Sequence, residues 1–303
     1  MIMYKTRNEH KKIKLINFEI ERVYCNYCRK ELNLLSNNKK NNEQVCENCN
    51  FILKNSEYLV FNSWPDLNTS DIEAVKLLEL SLNSILPILE NKNLFDFSSE
   101  NQQGIIIKNN KVVGLCLDNF KLEKYPDEIN YFKNLRYLSL VNTGIRKLPE
   151  SIKELTNLKA LNIKNNNIEF LPDVITTLKR LKMLNLHNNQ LRLLPDNIGN
   201  LLQLSYLDLE NNLLYCVPKS FSQLKNLKVL NIFDNQIKLD LIVELIPENV
   251  HNCAIGGNSV SKKSLKTLKN IIGDKSCILH LKRQSWTKQS GKIMQELNKI
   301  KVN

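Results

Sequence analysis

LKALNIKNNNIEFLPDVITTLKR (residues 158–180), LKMLNLHNNQLRLLPDNIGNLLQ (181–203) and LSYLDLENNLLYCVPKSFSQLKN (204–226) are three successive copies of one pattern. With slots numbered from the first Leu of each copy, apolar residues fall in slots 1, 4, 6 and 11, Asn in slot 9 and Pro in slot 15. Working outward, Leu227, Leu230, Ile232, Asn235 and Ile237 repeat the frame, and Val250, Cys253, Ile255, Asn258 and Val260 repeat it again. Upstream, Leu135, Leu138, Leu140 and Ile145 keep it with Thr143 in slot 9, and Val112, Leu115, Leu117 and Leu122 keep it with Phe120 there. Pro126, Pro149, Pro172, Pro195 and Pro218 stand 23 residues apart; the last copy departs from the pattern, because position 240 is Asp240 and no Leu-Pro turn precedes it. Seven copies thus span 112–260, and a fixed period of this length means stacked supersecondary units.

The apolar alternation of slots 4 and 6 is that of a short strand. One such strand cannot bury its apolar residues alone, whereas a stack of them forms a parallel sheet over a continuous Leu/Ile core. Asn in slot 9 both donates and accepts, so it can satisfy backbone groups orphaned where the chain leaves the strand. Of the neighbours Asn188 and Asn189, only Asn189 occupies that slot. Pro holds the convex side extended. Seven strands would give a sheet roughly 30 Å long.

The pattern resembles the leucine-rich repeat, in the 23-residue LPxxI form of intracellular proteins that includes the Ras-group class. The resemblance covers about half the chain. It implies an α/β solenoid, a horseshoe with a parallel concave sheet, acting as a non-enzymatic scaffold or regulator. It also implies a protein partner on the concave face, with small GTPases among the partners of that class.

Ile105–Lys108, Asn109-Asn110 and Lys111–Leu117 read as a hairpin that closes the first repeat. Ahead of it, Ser70-Asp71-Ile72-Glu73 fits a capping box, followed by a stripe of Ile72, Val75, Leu78 and Leu82. Leu265, Leu268 and Ile272 suggest a closing helix, with another basic helix over 278–303. The expected organisation is a zinc-ribbon-like domain with a basic arm at 1–62, and a helical linker with capping hairpin at 63–111. Seven repeats follow at 112–260, then a C-terminal cap and basic tail at 261–303.

Cys25-Asn-Tyr-Cys28 and Cys46-Glu-Asn-Cys49 are two C-x-x-C pairs 17 residues apart. Four soft thiolates at this spacing suit one tetrahedral Zn²⁺, and the segment resembles a zinc ribbon. A full set of four leaves no open coordination position, so the metal's expected role is structural. Cys253 falls in an inward slot, and no spacing joins Cys116, Cys216 and Cys277 to it.

The net charge of +12 sits at the ends: residues 1–62 carry +4, 63–258 carry −1 and 259–303 carry +9. A basic tail can hold phosphates, which makes nucleic acid, gripped by ribbon and tail, the second function class. The charged start MIMYKTRNEHKKIK has no apolar signal core and no stretch reaches membrane-spanning length, so a cytoplasmic chain is expected. No phosphate loop, GxGxxG, HExxH, GxSxG or kinase signature is present, and no small-molecule substrate is expected. Asp208 and Glu210, two apart on one strand face, are read as surface contacts rather than an acid–base pair.

Slots 3, 5 and 7 point away from the core and line the concave face. The residues expected to meet a partner are Tyr137, Asn162, Lys164, Met183, Asn185, His187, Tyr206, Asp208, Glu210 and Phe233, with aromatic and Met anchors inside a polar surround.

Overall fold

The computed structural model describes residues 67–84, 86–89 and 102–259, with 261, 263, 266 and 267, and the backbone of 23–24, 31–32 and 278–280. The chain divides into two compact units, 1–65 and 66–303. In the first, β1 (Val23–Tyr24) pairs antiparallel with β2 (Glu31–Leu32). These two strands flank in sequence the segment that carries Cys25 and Cys28, and all four cysteines of the expected zinc site lie outside the described residues.

The second unit is built on one sheet. Its strands are β3 (Gln103–Lys108), β4 (Lys111–Leu117), β5 (Tyr137–Ser139), β6 (Ala160–Asn162), β7 (Met183–Asn185), β8 (Tyr206–Asp208), β9 (Val229–Asn231), β10 (Asn252–Ala254) and β11 (Ile278–His280). They lie side by side in chain order, parallel except for β3, which pairs antiparallel with β4. From β4 to β10 the register advances by one repeat per strand, so Leu138, Leu161, Leu184, Leu207 and Leu230 form one row. That row and the slot 1, 6 and 11 residues beside it are buried, giving the continuous core that the spacing predicts. Across the core, prolines open short 3-10 turns such as Glu150–Glu154, Asp173–Thr177 and Lys219–Gln223.

The slot 9 ladder closes the backbone account. Asn189 Nδ2 donates to the carbonyls of Ile163 and Leu186, each at 3.0 Å, and its Oδ1 accepts from the N–H of Ile168. Asn212 and Asn235 do the same one and two repeats on. Where the slot holds Thr143, its hydroxyl donates to the Leu140 carbonyl and its N–H to Asn166 Oδ1. Slot 8 is also constrained: Asn142, Asn165, Asn188 and Asn211 all take φ between 54° and 58°, the left-handed region that Asn tolerates. The amide of Asn188 donates to Asn165, and that of Asn211 to Asn188. Asn188 is therefore not the inert neighbour of Asn189 that the slot pattern suggests.

The hairpin turns at Asn109 and Asn110, with φ of 51° and 60°, the paired positive values of a type I′ turn. The helix ahead of it, α1 (Thr69–Leu82), begins two residues earlier than a Ser70 cap would start it. Asn68 is the cap, its side chain accepting from the N–H of Asp71. Asp71 is spent elsewhere: its buried carboxylate accepts from the N–H of Val112 at 2.7 Å, tying helix to strand at the start of β4. The buried face of α1 is accordingly Asp71, Ala74, Val75 and Leu78.

At the other end the Pro-led turn of the last repeat gives way to a short helix, α2 (Leu239–Ile242). Residues 278–280, expected in a basic helix, instead form β11, parallel to β10 with Cys253 opposite Leu279. The 26-residue step from Cys253 to Leu279 breaks the period of 23, which hides this strand from the repeat pattern. The expected closing helix over Leu265, Leu268 and Ile272, and the tail beyond 280, lie outside the described residues.

Candidate functional site on the concave sheet

Slots 3, 5 and 7 do share one face of the sheet. Tyr137, Met183 and Tyr206 lie in a slot 3 row with Ala160 and Val229, and Asn162, Asn185 and Asp208 in a slot 5 row with Asn231. Their exposure differs from that of projecting anchors. Tyr137, Met183, Tyr206 and Phe233 retain only 2–6% of their surface, and Asn162, Asn185, Asp208 and Glu210 are equally buried. Lys164 and His187 are half-exposed. The aromatic and Met side chains form the floor of the face.

The slot 5 residues have a structural duty. In four successive copies the side-chain oxygen accepts from the backbone N–H two residues on: Asn162 from Lys164, Asn185 from His187, Asp208 from Glu210, Asn231 from Phe233. Each is an Asx turn that satisfies the slot 7 N–H as the chain leaves the strand. In the first copy, where slot 5 is Cys116, the carboxylate of Asp118 reaches across to the N–H of Val141 and the hydroxyl of Ser139. Four Asx residues at one slot were the available sequence signal for this ladder.

Acidic and imidazole groups gather at the centre of the face. Tyr206 donates its hydroxyl to Asp208 Oδ2 at 3.0 Å, and Asn231 Nδ2 donates to Glu210 Oε2 at 2.8 Å. His187 Nδ1 lies 3.6 Å from the same Glu210 oxygen. Burial holds the Asp208 carboxyl above the usual carboxylate range, with His187 pulling the other way. Burial likewise pushes the Tyr206 phenol well up, and the Tyr137 phenol up to about 12. Cys116 is an inert thiol: burial, aided by Asp118, pushes it up to about 12.

Along the edge where the chain enters the sheet, slot 2 carries Arg136, Lys159, Lys182 and Lys228 in four of five consecutive copies, Ser205 breaking the run. Their carbonyls bind the next strand; that of Lys159, for example, accepts from the N–H groups of Lys182 and Met183. The row is therefore built at strand spacing, about 4.8 Å per step. The Lys159 amine is pulled below its ordinary value by burial and by the cations Arg136, Lys182, Arg180 and Lys108 around it. This concentration of positive charge lies inside a stretch that is neutral when summed, so segment totals conceal it, although the 23-residue spacing of Arg136, Lys159 and Lys182, with Lys228 two periods on, was legible.

Residues 112–238 match the family described as a leucine-rich repeat region. No curated protein matches the chain. Among solved structures, a leucine-rich repeat protein of Leptospira interrogans is similar at 34% identity and a TM-score of 0.47, covering 52% of this chain and 40% of that one. An internalin of Listeria monocytogenes is similar at 19% identity and a TM-score of 0.44, covering 52% and 44%. The chain thus spans less than half the length of these two proteins. No helix among the described residues is long and apolar enough to cross a membrane.

Proposed function

We propose that this leucine-rich repeat protein is a non-enzymatic interaction scaffold whose concave sheet and basic rim receive an acidic surface of a partner protein. The slot 2 row carries the reading. Arg136, Lys159 and Lys182 crowd like charges at strand spacing, a cost that an incoming anionic surface removes. Lys164 and His187 extend this surface onto the face, where Tyr137, Met183, Tyr206 and Phe233 supply a packed floor. A small GTPase, the partner class implied by the Ras-group resemblance, is one candidate with which to test it. Lys159→Glu with Lys182→Glu should abolish capture of a partner isolated on the wild-type chain. Deletion of residues 281–303 should leave that capture intact. Salt-sensitive binding to mixed DNA and RNA, lost in the tail deletion, would favour the nucleic-acid reading instead.

The N-terminal unit is proposed to hold one structural zinc on Cys25, Cys28, Cys46 and Cys49. The C-x-x-C spacing supports it, as does the antiparallel pairing of Val23–Tyr24 with Glu31–Leu32 on either side of the first pair. Elemental analysis should find one zinc per chain, lost in Cys46→Ser; purified wild type without zinc would refute it.

A further inference from the structure

We propose that His187, Asp208 and Glu210 form a second metal site, for a first-row divalent cation, on the concave face of the repeats. One nitrogen or oxygen atom from each lies within 4.8 Å of the other two. Ligands bound tetrahedrally at 2.0–2.2 Å stand about 3.4 Å apart, so modest side-chain rotation closes the set. His187 Nδ1 and Glu210 Oε2, at 3.6 Å, are nearly there already. One imidazole and two carboxylates suit cations such as Mn²⁺ or Zn²⁺, and three protein ligands leave a position for water or a partner's group.

The repeat itself supplies an independent reason. The slot 5 Asx turn needs only an acceptor, and Asn162, Asn185 and Asn231 provide one without charge. Asp208 performs the same turn and adds a carboxylate that the fold does not require. Two residues on, Glu210 adds another, in a slot held by Lys164, His187 and Phe233 in the neighbouring copies. Both carboxylates are more than nine-tenths buried. Two like charges desolvated side by side are costly, and a cation between them reverses the sign of that cost. The surroundings are arranged as outer-shell support: Tyr206 fixes Asp208 Oδ2, and Asn231 fixes Glu210. Tyr206 and Asn231 are positioning residues, not ligands.

The site is independent of any partner, and its test needs none. Mn²⁺ favours oxygen and nitrogen over thiolate, so it probes this cluster and not the cysteine pairs. Titration of the full chain with Mn²⁺, followed by the electron paramagnetic resonance of the free ion, should show one bound Mn²⁺ per chain. Asp208→Asn retains the acceptor of the Asx turn and should weaken binding more than tenfold, as should His187→Gln at a half-exposed position. Tyr206→Phe should weaken it about tenfold, the usual effect of losing an outer-shell partner. Mn²⁺ should also raise the melting temperature of the wild type and leave that of Asp208→Asn unmoved. Equal Mn²⁺ binding by wild type, Asp208→Asn and His187→Gln would overturn the proposal. So would a wild type that leaves Mn²⁺ free at millimolar concentration.

Discussion

Residues 158–180 and 204–226 have the same backbone frame and oppositely charged faces. Leu161 and Leu207 fill the same core row, and Asn166 and Asn212 make the same ladder bonds to a carbonyl of the preceding repeat and to one of their own. At slots 2, 5 and 7, however, one copy has Lys159, Asn162 and Lys164, and the other Ser205, Asp208 and Glu210. The first copy presents cations to the face and the second carboxylates. Positions that the stack requires are repeated; positions that it leaves free change chemistry within two steps of the sheet. Charge that varies on a fixed frame is the part of the repeat that stacking does not dictate.

The largest expected effect lies on the fixed side of that comparison. Asn189→Ala and Asn212→Ala should each cost about 1–3 kcal/mol, because each strands buried carbonyls and an N–H. Their melting temperatures should fall together, since the two ladders have the same partners one repeat apart. Asn188→Ala should also destabilise, by roughly 1–2 kcal/mol, because Ala is strained at a φ of 55°. Asn188→Gly should lie within a few tenths of wild type, since Gly takes that conformation freely. Thermal unfolding of the four variants checks the set. If Asn188→Gly fell as far as Asn189→Ala, slot 8 would be held by its side-chain bonds and not by its backbone.

The frame was legible because stacking repeats the same physical demand every 23 residues. The hairpin was legible because few residues other than Asn and Gly tolerate two consecutive positive φ values. The helix start was not: Asn68 and Ser70 are both good caps, and the choice turned on Val112, whose N–H takes the Asp71 carboxylate from 41 residues away. The concave face was legible as a row of residues but not in its burial or its bonding. An Asn between two apolar strand residues reads equally well as a solvent contact or as an Asx turn. The accessible surface of Tyr206 or Met183 depends on packing that no spacing reports. For β11, the break in period removed the signal altogether.

On the variable side the expected effect is smaller and depends on salt. Lys159 sits between Arg136 and Lys182 with Arg180 and Lys108 nearby, and these cations, after burial, pull its amine below the ordinary value. The sign follows from that shift. A lysine that binds its proton less well folded than unfolded destabilises the protonated chain. The penalty is fully present below the lowered folded value, therefore at neutral pH, and disappears as pH rises past the ordinary lysine range. Lys159→Gln should consequently raise the melting temperature slightly at neutral pH and low salt. Added salt screens exposed charges over about 10 Å at 0.1 M, so it should stabilise the wild type more than Lys159→Gln and bring the two curves together. Ser205→Lys, which fills the gap in the row, should do the reverse and lower the low-salt melting temperature by a similar small amount. Melting curves of the three proteins across a salt series decide it. Parallel salt responses would mean that the row is already neutralised within the folded chain, leaving no charge for an acidic partner to meet.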